Sequence, residues 1–389
     1  MSAYTRLFFL VALFFYTTVS ASEFGFSRSE PCPTEDLFPK AREMALSIPV
    51  VHSNNIISYV ETRIHTKGTS PRRKQDYAMR TIPVVFLNTM TCELQSATLM
   101  RTIINGRLPT MLSTDDGKFI VFVEPRPYGT LWNWWNTPLQ VLAPEGWVIA
   151  AIHWKRIPSG ESVAYTPGSA DLMNSFPTLA ELGRYHIRDD ILLAYSLLTE
   201  SRSRAFPDLT IEKVFETYFP RLLESIISIE HADDHEVMVF RNGGYAINPI
   251  DRPFAVIGAN PLEAYGATTS SAGARGLMQV MPKTCREIRT LYVSKIPAGC
   301  YEDPHGHPAE LASAMLVIDY HLSILMDRLR KPSESREAFA QRPEAKLMIR
   351  AAYNTGPGRV SKAVRSKRDW AANLLMETRG YLVKAFGLD

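Results

Sequence analysis

Ser270-Ser271-Ala272-Gly273-Ala274-Arg275-Gly276-Leu277-Met278-Gln279-Val280-Met281-Pro282 decides how the rest of this 389-residue chain is read. Its two glycines permit close backbone approach to a ligand or a tight turn. Pro282 suits the first turn of a helix. Exposed amides and the Gln279 side chain are suited to hydrogen-bond hydroxyl and acetamide groups. Ser270 can orient a carboxyl or an N-acetyl group, and Met278 offers an apolar contact. A purely structural glycine turn, with Met278 in the core, is the competing reading of the same residues.

Upstream, Phe219-Pro220-Arg221-Leu222-Leu223-Glu224-Ser225-Ile226-Ile227-Ser228-Ile229-Glu230 predicts a helix with Leu222, Leu223, Ile226 and Ile227 on one stripe. Glu230 extends that stripe, four residues after Ile226 and three after Ile227. A carboxyl on an apolar face loses solvation, so its pKa is expected to rise, toward ~6. Glu224 and Glu263 are rival carboxylates, and a solvated helix position is the usual fate of glutamate. Downstream, Met348, Ile349 and Ala352 form a helical stripe that Gly356-Pro357-Gly358 ends. Tyr353 and Asn354 fall at that helix end, where side chains can face a cleft.

These segments resemble the soluble lytic transglycosylases, lysozyme-like enzymes that cut the glycan strands of bacterial peptidoglycan. Ser270, Gly273, Ala274, Gly276, Leu277, Met278, Gln279 and Pro282 match the family pattern in order. Ala351-Ala352-Tyr353-Asn354-Thr355-Gly356 matches a second motif. Glu377-Thr378-Arg379-Gly380-Tyr381-Leu382 resembles the family's C-terminal ending. The resemblance runs from about Ile211 to the C-terminus. It departs at Glu230-His231, where the family usually has Glu-Ser, and through a long insertion from about His231 to Tyr265. It implies Glu230 as the catalytic acid and base, and Ser270, Gly276, Met278, Gln279, Tyr353, Asn354 and Tyr381 as substrate-binding residues. The implied reaction is cleavage of the β-1,4 bond between N-acetylmuramic acid and N-acetylglucosamine. It uses the C6 hydroxyl in place of water and leaves 1,6-anhydro ends. Hydrolysis, with Asp233 or Asp234 as the second carboxylate, is the close alternative. A non-catalytic peptidoglycan-binding assembly factor is the distant one.

The expected fold class is α+β: a mainly α-helical, lysozyme-like C-terminal domain preceded by a small N-terminal α/β module of unrecognised family. The expected divisions are a signal peptide at 1–21, the module at 22–180, a helical connector at 181–210 and the lysozyme-like domain at 211–389. Arg6 followed by Leu7 to Phe15 and then Val19-Ser20-Ala21 reads as a secretory signal. This places the protein in the periplasm or exported envelope, with no other membrane span expected. Val84–Leu87, Phe119–Val123 and Trp147–Ile152 read as strands. Pro158 to Pro177 reads as a linker. Helical periodicity marks Ile187–Glu200, Ile211–Ile229, Leu311–Leu329 and Ala345–Asn354. Trp132, Trp134 and Trp135 form either a core cluster or a sugar-stacking surface.

The four cysteines permit disulfides in an exported chain. Cys285–Cys300 is the attractive local pair among three pairings. A net charge of +3 without a basic run gives no footprint for nucleic acid. No metal or cofactor is expected: His231 to His235 would need a defined helix or loop geometry to bind one, and together with His305-Gly306-His307 it lacks an orienting frame. Expected partners are peptidoglycan strands and, by analogy with specialised members of the group, a secretion, conjugation or pilus complex.

Overall fold

Val84-Val85-Phe86-Leu87, all fully buried, form the centre of the sheet on which the N-terminal part is built. The computed structural model describes residues 32–49, 52–59, 75–100, 111–123, 135, 139–155, 162–232, 237, 240–241, 248–266, 268–270, 272–296, 307–366 and 369–385. The signal segment 1–21, Trp132, Trp134, Asp233, Asp234 and Cys300 lie outside them. In chain order, α1 (Thr34–Ser47) precedes β1 (His52–Tyr59), β2 (Gln75–Asn88), β3 (Leu94–Met100), β4 (Met111–Thr114), β5 (Ile120–Val123), β6 (Leu139–Ala143), β7 (Trp147–Lys155) and β8 (Ser162–Tyr165). These strands make one eight-stranded sheet in the order β6-β5-β4-β3-β2-β7-β8, with β1 added to the first half of β2. Every pairing is antiparallel.

The sheet curls until β6 meets β7, which explains why β2 reads as continuously apolar rather than alternating. One of its faces lines the inside of the curl, where Phe86 stacks on Phe119 at 3.8 Å and Phe119 meets Trp147 edge-on. The other lies under α1, whose Phe38, Ala41 and Ala45 are buried at helical spacing. A disulfide joins Cys32, ahead of α1, to Cys92 in the β2–β3 turn.

The expected linker is corrected by the structure. Its described part holds β8, hydrogen-bonded to β7, and α2 (Ala170–Ser175), and the residues from Val163 to Ser169 are all buried. Its small residues serve close packing: a Cβ on Gly168 would run into Val256. Residues 32–389 accordingly form one compact unit with a shared apolar core.

The helical part comprises α3 (Leu179–Leu197), α4 (Ile211–Tyr218), α5 (Leu222–His231), α6 (Arg252–Ala259), α7 (Pro282–Leu291), α8 (Pro308–Leu329), α9 (Arg336–Ala340), α10 (Pro343–Thr355), α11 (Pro357–Arg365) and α12 (Met376–Ala385). The helix expected over Ile211–Ile229 is two helices. Pro220 supplies no N–H, and the chain breaks between Tyr218 and Leu222. Part of the long insertion is α6, buried from Pro253 to Ala259. Its Gly258 lies against Gly183 of α3, where a Cβ on either glycine would overlap the other helix's backbone.

The 22-residue α8 is long and apolar enough to cross a membrane, which the composition reading overlooked. Here it is the core helix, buried from Pro308 to Asp319 without a break. At its centre the buried Asp319 carboxylate accepts from Ser203 Oγ, from the Arg204 N–H at 2.7 Å and from Tyr292 Oη at 2.7 Å. Three donors answer the cost of burying it.

Candidate active site

Glu230 lies in the last turn of α5, where the apolar stripe meets the C-terminal helix α12. Its Oε1 accepts a hydrogen bond from Tyr381 Oη at 3.0 Å. Burial of the carboxyl raises its pKa from 4.5 to about 7. Lys384 and the Tyr381 hydroxyl pull the other way, and Glu377 adds to the rise. Neither rival shares this setting. Glu224 faces α3, where it pairs with Arg188 at 3.2 Å. Glu263 is exposed in the turn after α6.

The run from Thr268 to Val280 folds on itself through bridges Thr269–Arg275 and Arg275–Val280. Ser270 spends its hydroxyl inside this loop, accepting from the Ala274 N–H at 3.0 Å. Gly276 adopts φ +75° and Gln279 φ +49°, both left-handed. The Gln279 amide donates to the Gly276 carbonyl at 2.6 Å. Sequence reasoning assigned Gly276 to ligand approach; the structure gives its open side to Glu310 instead. A Cβ at Gly276 would collide with that carboxylate. Glu310 Oε2 also accepts from the Met278 N–H at 3.3 Å. The Met278 side chain is wholly buried, so the apolar sugar contact read from the sequence is here a core contact. What Met278 presents to the site is its backbone, because its carbonyl accepts from Tyr353 Oη at 2.6 Å.

Gly276→Ala therefore adds a side chain where the backbone is left-handed and a buried carboxylate already sits. A loss of about 2 kcal/mol or more in unfolding free energy is expected from strain and overpacking combined. Denaturant titration of the purified variant measures it.

Tyr353 lies close to both acids, Glu230 and Glu310. Burial first, then the nearby Glu230 and Glu310 carboxylates, hold its phenol well above the usual range. Asn354 Oδ1 accepts from Thr378 Oγ1 of α12 at 2.8 Å, tying the end of α10 to the helix that carries Tyr381. The structure thus brings Glu230, Tyr381, Tyr353 and the Gly276–Gln279 turn together, and sets Ser270 in the adjoining loop.

Comparison with known protein families matches residues 265–376 to the Transglycosylase SLT domain. The C-terminal part of this chain carries an SLT domain. No curated protein and no solved structure matches the chain. The SLT match covers under a third of the sequence. It includes the Gly-Leu-Met-Gln turn and Tyr353-Asn354, but neither Glu230 nor Tyr381. The SLT domain implies a lytic-transglycosylase-type function acting on peptidoglycan, consistent with an envelope location.

Three residues around the site are not marked by the sequence pattern. Glu310 supports the turn. Lys384, buried on α12, donates to the Ala232 carbonyl at 3.0 Å just beyond α5. The sequence offers His231 only as a metal-ligand candidate, yet its Nε2 lies 2.7 Å from the Leu277 carbonyl. A carboxylate or imidazole placed among apolar helix neighbours was the available signal. Cys285 is disulfide-bonded, while its expected partner Cys300 lies outside the described residues.

Proposed function

We propose that the protein is a peptidoglycan lytic transglycosylase in which Glu230 serves as both acid and base. One observation carries the reading: a carboxyl on an apolar helix face that accepts from Tyr381 and lies close to Tyr353 of the SLT match, its pKa pushed up to about 7 by burial. Near neutral pH such a group has both forms available, as one residue acting twice requires. Glu230 first gives its proton to the glycosidic oxygen, which stays on C4 of N-acetylglucosamine as its bond to C1 of N-acetylmuramic acid breaks. The resulting carboxylate then takes the proton from the muramic acid C6 hydroxyl. O6 closes on C1, and Glu230 is protonated again. No water is consumed, and the tethered nucleophile replaces a positioned second reactant. Tyr381 orients the carboxyl during both transfers. Tyr353, through the Met278 carbonyl, holds the turn against which the sugar lies. Ser270, Gln279 and Asn354 are proposed to bind the glycan.

Mass spectrometry of fragments released from purified sacculi tests this. The expected products end in 1,6-anhydro-muramic acid. Reducing muramic acid ends would replace the reading with hydrolysis. Retained sacculus binding without release would favour an assembly factor. The exported location and service to an envelope-spanning machine are part of the same proposal; they rest on the N-terminal leader pattern and on analogy.

A further inference from the structure

We propose that His231 is a positioning residue that fixes the rotation and depth of α5, and so the place of Glu230, through its bond to the Leu277 carbonyl. The inference rests on Glu230 being the acid.

Successive residues of a helix diverge by about 100°, so Glu230 and His231 leave α5 in different directions. Glu230 reaches α12 at Tyr381. His231 reaches a different partner, the SLT turn, with Nε2 at 2.7 Å from the Leu277 carbonyl. Its ring also stacks on Tyr265 at 3.8 Å between centroids and 25° between planes. Tyr265 is itself fully buried and left-handed at φ +63°, an arrangement that surrounding contacts must hold in place.

His231 is 6 % exposed. A carbonyl acceptor requires the ring to carry its proton on Nε2. Burial lowers the His231 pKa to about 4; the Leu277 bond opposes this, and Lys384 and His307 add to it. The ring is therefore neutral across the range in which Glu230 titrates, and its bond does not change while the acid works.

The same turn is held at two neighbouring groups. Glu310 receives the Met278 N–H, and Tyr353 donates to the Met278 carbonyl. Those contacts come from α8 and α10 and fix the turn to the core. Among these turn contacts, the one from α5 is that of His231. It is also where the chain departs from the Glu-Ser of the family pattern.

Two variants separate the hydrogen bond from the ring. His231→Phe keeps a flat ring for Tyr265 and loses the N–H. His231→Gln keeps an N–H donor at similar reach and loses the ring. With soluble glycan strands as substrate, the phenylalanine variant is expected to lose about 10–100-fold in kcat, with KM within about twofold, as misplacement of an acid requires. The glutamine variant is expected to recover most of that loss. A folded His231→Phe protein with kcat near wild type overturns the proposal, as does equal loss in both variants. If the phenylalanine variant does not fold, the glutamine variant decides. A kcat within about threefold of wild type supports the hydrogen bond, and a tenfold loss removes it. An active Glu230→Gln protein would sink the reading of the acid. An inactive Glu230→Gln beside a fully active His231→Phe would sink this inference alone.

Discussion

Glu230→Gln is expected to abolish fragment release from sacculi, by about 10³-fold or more in kcat, while making the protein harder to unfold above pH 7. The two effects share one cause. The fold disfavours the ionised carboxyl and raises the pKa from 4.5 to about 7. Below about pH 4.5 the group is protonated whether folded or unfolded, and its stabilising contribution is complete. As the pH climbs through 7, the folded protein must ionise a desolvated group, and the contribution is lost. At about 1.4 kcal/mol per pKa unit, the loss is on the order of 3 kcal/mol. Glutamine has nothing to ionise and loses none of it. Thermal unfolding at pH 5 and pH 8.5 should therefore show the variant gaining on wild type only at the higher pH. The wild-type rate should decline on the alkaline side of about pH 7, where the acid is spent. Retained release by the glutamine variant would move the role to another residue. A stability difference equal at both pH values would mean that Glu230 is not desolvated in solution.

Gly183→Ala is expected to have the largest effect on stability, with unfolding free energy falling by about 3 kcal/mol or more. The added methyl would overlap the Phe254 carbonyl, and the Gly183 N–H is already 3.1 Å from where a Cβ on Gly258 would stand. Backbone on both sides leaves no side chain to rotate away, so α3 and α6 must separate. Asn260, directly after α6, joins the same contact to Thr166, the residue that follows β8. Its side chain donates to the Thr166 carbonyl at 2.9 Å and accepts from the Thr166 N–H at 2.9 Å. Parting the helices therefore loosens the sheet as well as the helices. A Tm drop of about 5 °C or more in calorimetry is the expected readout. A shift within about 1 °C would mean that the crossing has more room than its geometry shows.

Much of the fold was visible because its elements announce themselves locally. Val84–Leu87, Trp147–Ile152 and the stripe leading to Glu230 each carry the period or the β-branched run that burial demands. The segment from Ser162 to Phe176 was not visible. Its Pro, Gly and Ser residues look like a linker, and only the close approach of α6 to Gly168 explains why small residues stand there. The insertion hid α6 for a related reason: a short helix buried all round shows no period. At the site, motif order pointed to Glu230 and the glycine turn. Glu310 and His231 went unread because their roles depend on carbonyls and amides dozens of residues away, which no spacing reveals.

Asp319 has a consequence for biosynthesis. On the export route proposed above, α8 passes through a translocation channel, whose lateral opening releases segments of this length and hydropathy into lipid. A carboxylate at the middle of such a segment opposes that release by ~3 kcal/mol. Asp319 sits at the midpoint of Pro308–Leu329. The residue that Ser203, Arg204 and Tyr292 satisfy in the finished core would thus also keep the unfolded chain moving to the far side of the membrane.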